Sequence, residues 1–306
     1  MVSGPLPQRS VRGTTALLAV LGDPVRHSLS PAMHNAALAA MGRDWIYLAL
    51  PTPADELGTV VRALEVSGCR GLSITIPHKQ TVARLCRDLS PLAARLGAVN
   101  TLVPMQGGGW HGTNTDVEGF AAPLRSGDRS WQGRRAVVLG CGGSARAVLA
   151  ALVELGFGTI QLAGRRPEAL EAVVAGCRPW APMLEPLPWR EGADALSAAL
   201  GRADLVVNTT PVGMASAADP AAALACPLTD GELTALAPDC WVYDLIYVPR
   251  PTELLRRAAL RGCTCLDGLE MLVGQGAAAL RLWSGTEEVP VTLMREAALA
   301  QLQGAA

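Results

Sequence analysis

Short apolar runs alternate with helical patterns along nearly the whole chain. Residues 16–21, 45–50, 72–76 and 99–103 read as strands. Among them lie 31–41 and 54–67, where apolar residues recur at helical spacing. Gln106-Gly107-Gly108-Gly109 is a turn signal, and the polar, glycine-containing stretch 126–133 reads as a linker. The alternation then resumes with a strand at 135–139, a helix running to 155, and strands at 159–163, 205–208 and 241–245. Residues 268–283 and 291–302 follow as helices without a further sheet. Alternation of this kind predicts an α/β protein with parallel sheets.

At 306 residues and 31.8 kDa the chain is long enough for two domains with their own cores. Only 17% of residues are charged and the net charge is −1, which leaves no basic field for nucleic acid or anionic lipid. No apolar run approaches the length of a membrane span. Residues 16–21 are too short for the core of a signal sequence and run into Gly22-Asp23-Pro24, which favours a first strand. The eight cysteines include no C-x-x-C, and none of the four histidines has metal-ligand spacing. Reduced thiols in a cytoplasmic protein are therefore expected, not a zinc or disulfide framework. Cys263 and Cys265 fall in a short strand pattern that points both thiols to one face.

Three stretches carry candidate chemistry. Gly140-Cys141-Gly142-Gly143-Ser144-Ala145 reads G-x-G-x-x-A between a predicted strand and a predicted helix. In that setting Gly140 permits the tight turn, Gly142 lets backbone N–H groups approach a pyrophosphate, and Ala145 keeps the helix close to the sheet. The next strand ends at Gly164-Arg165-Arg166, where an NAD site would usually carry a carboxylate for the ribose. Two guanidinium groups suit a 2′-phosphate instead, so NADP is the expected cofactor. In His27-Ser28-Leu29-Ser30-Pro31, Ser30 fits a helix N-cap, Pro31 the first turn and Gly42 the stop. With Ser28 it also makes a pair of hydroxyls at a helix N-terminus, a plausible clamp for a small carboxylate. The third stretch holds an oddity of composition: 25 arginines and a single lysine, Lys79, at the end of the apolar run 72–76.

The stretches GDPVRHSLSPAMHNAAL, ITIPHK, GAVNT, NTDVEG, GCGGSARA, NTTPVGM, DLIYVPRPTELL and GLEMLVGQGAAALRLW occur in that order. Over nearly its whole length the chain thereby resembles the shikimate dehydrogenase family, two-domain NADP-linked enzymes that reduce 3-dehydroshikimate to shikimate in aromatic biosynthesis. The resemblance implies a substrate domain of residues 1–118 plus 267–306, a Rossmann-type NADP domain of 119–266, and an active-site cleft between them. It implies that Ser28 and Ser30 hold the shikimate carboxylate, with Thr75, Asn100, Tyr247 and Gln275 lining the same pocket. Lys79 and Asp116 would be the catalytic pair. Residues Gly140, Cys141, Gly142, Gly143 and Ser144, with Arg165 and Arg166, would hold NADP, and Leu245 and Gly268 would lie near the nicotinamide. The sequence departs from the family where Gly164-Arg165-Arg166 replaces the common Asn-Arg-Thr, and where Ser73 replaces a common Asn.

The lone lysine then acquires a role. Reducing a ketone with hydride requires a proton for the forming alkoxide, and the reverse reaction requires its removal. An ammonium can cycle through its neutral form when burial lowers its pKa, whereas Arg stays charged. His78, beside it, is expected to be structural. Two rivals remain: a quinate/shikimate dehydrogenase with looser substrate choice, and a non-catalytic NADP or metabolite sensor on the same fold. The expected partner is the small-molecule substrate, with no nucleic acid or membrane, and the expected assembly is a monomer or homodimer.

Overall fold

The computed structural model describes residues 11–189, 193–215 and 219–304. The chain divides into two compact units, Met1–Thr115 with Gly276–Ala306, and Asp116–Gln275. Each has its own six-stranded sheet.

The first unit contains β1 (Ala16–Gly22), α1 (Ser30–Ala40), β2 (Trp45–Pro51), α2 (Leu57–Val66), β3 (Gly71–Ile74), β4 (Asp88–Leu89), α3 (Pro91–Leu96), β5 (Thr101–Pro104) and β6 (Trp110–Thr113). Its strand order is β2-β1-β3-β5-β6-β4. β1 runs parallel to β2 and β3, whereas β5 is antiparallel to both β3 and β6. The sheet is therefore mixed rather than parallel as the alternation predicted. The cause is local: Gly107, Gly108 and Gly109 all have positive φ and close a hairpin too short for a crossover. On one side Leu57, Val61, Leu72, Ile74, Leu102 and Trp110 form a core cluster.

The second unit contains α4 (Asp116–Arg125), β7 (Arg135–Leu139), α5 (Gly143–Glu154), β8 (Thr159–Gly164), α6 (Pro167–Cys177), β9 (Leu184–Pro188), α7 (Ala193–Leu200), β10 (Leu205–Asn208), α8 (Asp230–Thr234), β11 (Trp241–Asp244), α9 (Glu253–Leu260) and β12 (Thr264–Leu266). α10 (Gly268–Ser284) carries the chain from this unit back into the first, where α11 (Val291–Gly304) packs on α1 with Met294 and Ala298 buried. The order β12-β11-β10-β7-β8-β9 is parallel throughout and reverses direction between β7 and β10, the Rossmann arrangement. Its inner strands read as unbroken apolar runs because helices cover both faces. None of the described helices is long and apolar enough to cross a membrane.

Of two local expectations one holds and one fails. Residues 126–133 join α4 to β7 and are mostly exposed, as the linker pattern predicts, but Trp131 within them is buried, stacks on Phe157 at 5.4 Å and meets Trp241 edge-on at 5.4 Å. Its indole N–H donates to the Leu124 carbonyl, and the Arg129 guanidinium lies over the ring. One large aromatic anchors an otherwise exposed polar stretch. At α1 the N-cap position is Leu29, and Ser30 makes no side-chain cap. Ser28 intervenes: its Oγ accepts the Ser30 N–H at 3.2 Å, so Ser30 is already inside the helix. The stop at Gly42, φ +62°, falls where expected.

Candidate active site

In the first unit, five of the implied site residues follow from how β1, β3 and β5 end. The Thr75 N–H donates to Leu21 O at 2.9 Å, and a Cβ on Gly22 would overlap the Thr75 methyl. Only glycine lets β1 finish there, directly beside Thr75. Past the turn, Lys79 O accepts the Val99 N–H at 2.8 Å and Asn100 O accepts the Ile74 N–H at 2.7 Å. These two bonds draw the Lys79 segment and the start of β5 to the end of β3. Asn100 is buried, and its Oδ1 accepts from the Thr115 N–H at 2.7 Å and the Thr101 hydroxyl at 2.9 Å. Ser28 is half-buried and Ser30 buried, at the start of the helix that follows β1. His78 is buried, with its Nε2 against Thr52 O at 2.7 Å, the structural role expected of it.

In the second unit the glycine loop lies at the point where strand order reverses. Gly140 has φ +105°, and a Cβ there would press on Thr210 Cγ2 at 2.7 Å and Thr209 Oγ1 at 2.9 Å. The Thr209 hydroxyl donates to Leu139 O at 2.8 Å, tying the end of β10 to the loop. A Cβ on Gly142 or Gly143 would meet nothing within 4 Å. Gly142 caps α5 without any side-chain hydrogen bond, so the first N–H groups of a twelve-residue helix face that open space. Arg165 and Arg166, at the end of β8, are exposed. Space, uncapped donors and two guanidinium groups fit a phosphorylated dinucleotide.

The remaining implied residues also lie in this unit. Asp116 is buried at the start of α4. Gly119 of the same helix has no room for a Cβ against the Gln275 backbone N at 2.6 Å, so α4 crosses α10 close to Gln275. Gln275 is half-buried and its Nε2 donates to Leu272 O. Gly268 lies so near the Leu245 backbone that no side chain fits, and its N–H donates to Ile246 O at 3.1 Å. Leu245, Tyr247 and Gly268 thus form one local group, and burial raises the pKa of the Tyr247 phenol.

Sequence reasoning assigned no role to the carboxylate holding that group. Asp244 is fully buried at the end of β11. Its Oδ1 accepts from the Asn208 amide at 3.0 Å and the Ile246 N–H at 3.1 Å, and its Oδ2 from the Thr252 hydroxyl at 2.7 Å. Desolvation pushes its pKa up to about 6 against these hydrogen bonds. An Asp at a strand end in a chain with 50% hydrophobic residues was a signal open to sequence reading.

A parallel sheet in this order, with a glycine loop at its reversal point and guanidinium groups after the next strand, defines a dinucleotide-binding α/β protein. Residues 20–102 match the shikimate dehydrogenase substrate binding domain, and residues 268–299 the shikimate 5′-dehydrogenase C-terminal domain. The chain is 48% identical to shikimate dehydrogenase (NADP(+)) of Synechococcus sp. (strain JA-2-3B'a(2-13)), over 95% of this chain and 98% of that protein. Among solved structures, shikimate 5-dehydrogenase of Thermus thermophilus in complex with NADP(H) and shikimate is 36% identical. It has a TM-score of 0.80 and the match covers 94% of this chain and 99% of that one. Quinate dehydrogenase of Corynebacterium glutamicum in complex with NAD is 34% identical with a TM-score of 0.83, over 94% and 99%. The chain belongs to the shikimate dehydrogenase family.

Proposed function

We propose that this protein catalyses the NADP-dependent, reversible reduction of 3-dehydroshikimate to shikimate in aromatic amino-acid biosynthesis. The observation that carries the reading is the position of the only lysine, within the ITIPHK stretch, in a chain related to NADP-linked shikimate dehydrogenases over 95% of its length. NADPH supplies the hydride when bound. The Lys79 ammonium donates the proton that the forming alkoxide needs, and neutral Lys79 takes it back in the oxidative direction. Asp116 orients Lys79 and shares the proton.

Ser28 and Ser30 hold the substrate carboxylate, and Thr75, Asn100, Tyr247 and Gln275 line the ring. The uncapped donors of α5 and the loop Gly140–Ser144 hold the pyrophosphate, Arg165 and Arg166 the 2′-phosphate, and Leu245 and Gly268 flank the nicotinamide. In this reading residues 1–118 with 267–306 serve the substrate and 119–266 the cofactor.

Likeness to a quinate dehydrogenase supports one rival. Quinate adds a hydroxyl at the ring carbon bearing the carboxylate, next to Ser28 and Ser30. The test is the absorbance of reduced nicotinamide with shikimate or quinate, each with NADP or NAD. Turnover should be fastest with shikimate and NADP. Faster turnover of quinate would move the assignment to the rival, and no turnover with any pair would leave a binding protein.

A further inference from the structure

The end of β9 holds a residue to which the reading above gives no task. Trp189 follows that edge strand, and its backbone N–H donates to Gly164 O at 2.9 Å, immediately before Arg165. The Arg165 guanidinium carbon lies 5.8 Å from the centroid of the Trp189 ring, within cation–π reach. The indole is half-buried against the core cluster of its unit, whereas Arg165 is exposed. A partly buried ring therefore lies beside an exposed cation. Arg166 has different company: it occupies the N-cap position of α6 with extended backbone, and its charge acts on the Cys141 thiol of the glycine loop. Both guanidinium groups are exposed, and a guanidinium offers a fork of donors that suits a phosphate.

We infer that Trp189 is a positioning residue that sets the preference for NADP over NAD, by docking the Arg165 guanidinium on its ring with the donor edge turned to the 2′-phosphate. An unsupported arginine at a strand end spreads over many rotamers, and ordering it on binding costs affinity. The aromatic platform removes part of that cost before the phosphate arrives. The effect requires the phosphate, so it should be absent for a ligand lacking it. The inference rests on the NADP reading of this unit.

Binding calorimetry with two cofactor fragments separates the possibilities: adenosine 2′,5′-bisphosphate carries the distinguishing phosphate and AMP does not. Trp189→Leu should weaken the bisphosphate about two- to fivefold, the equivalent of one cation–π contact, and leave AMP unchanged. Trp189→Phe should lie between wild type and Trp189→Leu. In an Arg165→Gln background Trp189→Leu should add nothing. Equal losses for both ligands, no loss, or a further loss without Arg165 would each overturn the inference. Thermal melting checks the fold, and Trp189→Phe decides alone if the leucine variant melts below the assay temperature. Shikimate turnover in the wild type with no change in fragment binding would sink this inference and leave the enzymatic reading standing. Absence of turnover would sink that reading, while the fragments still judge the Arg165–Trp189 pair.

Discussion

Lys79 is the residue where composition and chemistry meet, because a chain that uses arginine 25 times has one ammonium to offer. Lys79→Arg keeps the charge and removes the transferable proton. It should lower kcat by roughly 10²–10⁴-fold with little change in the KM for NADP. Full activity in steady-state assays would reduce Lys79 to an electrostatic contact. The serines divide differently from what their sequence positions suggested. A hydroxyl bonded to a carboxylate contributes on the order of 1.5–3 kcal/mol, so Ser→Ala at either position should weaken shikimate binding and spare NADP. Ser28→Ala also removes an acceptor for the Ser30 N–H and should lower the melting temperature. Cap preferences made Ser30 the obvious N-cap, and the competing turn at Ser28 was invisible because both serines fit it equally well.

Among elements, the glycine loop contains two glycines that do opposite things. Gly140 needs its positive φ and has no room above it, so Gly140→Ala should cost about 1–3 kcal/mol of stability. Gly142 has φ −82° and open space, so Gly142→Ala should keep the melting temperature and raise the KM for NADP by filling room meant for a phosphate. Matching losses of stability in the two variants would mean that the space above Gly142 is not a ligand's. The parallel strands were legible because burial on both faces leaves unbroken apolar runs such as Ala-Val-Val-Leu in β7. Trp-His-Gly-Thr in β6 has no such run, and β9, Leu-Glu-Pro-Leu-Pro, carries prolines that only an edge strand tolerates. The cofactor loop was readable as one contiguous motif. The substrate residues are spread from Ser28 to Gln275, and resemblance alone linked them.

For the molecule as a whole, two buried titrating groups oppose each other, one in each unit. His34 in the first unit is stacked on Tyr47 at 4.1 Å, and burial lowers its pKa from 6.5 to about 4. Its contribution is present above pH 6.5 and is lost as pH falls through about 4. Asp244 in the second unit is raised from 3.8 to about 6, so its contribution is complete below pH 3.8 and is lost as pH rises through about 6. Between about pH 6.5 and 4.5, acid should weaken the first unit and strengthen the second, and the melting temperature should change little. Asp244→Asn should unmask the histidine, giving a steeper fall of melting temperature with acid in a calorimetric pH series; an unchanged slope would mean that Asp244 ionises as it does in the unfolded chain. The order of the chain has its own consequence. The first unit takes its opening 115 residues and its last stretch from Gly276 onward, whereas the second is one continuous segment. The second unit can therefore close its contacts from one unbroken stretch, whereas α1 meets α11 only across the whole of that stretch. Closing that long loop makes the first unit the slower of the two to form, and hydrogen exchange during refolding should protect β7, β10 and β11 before α1.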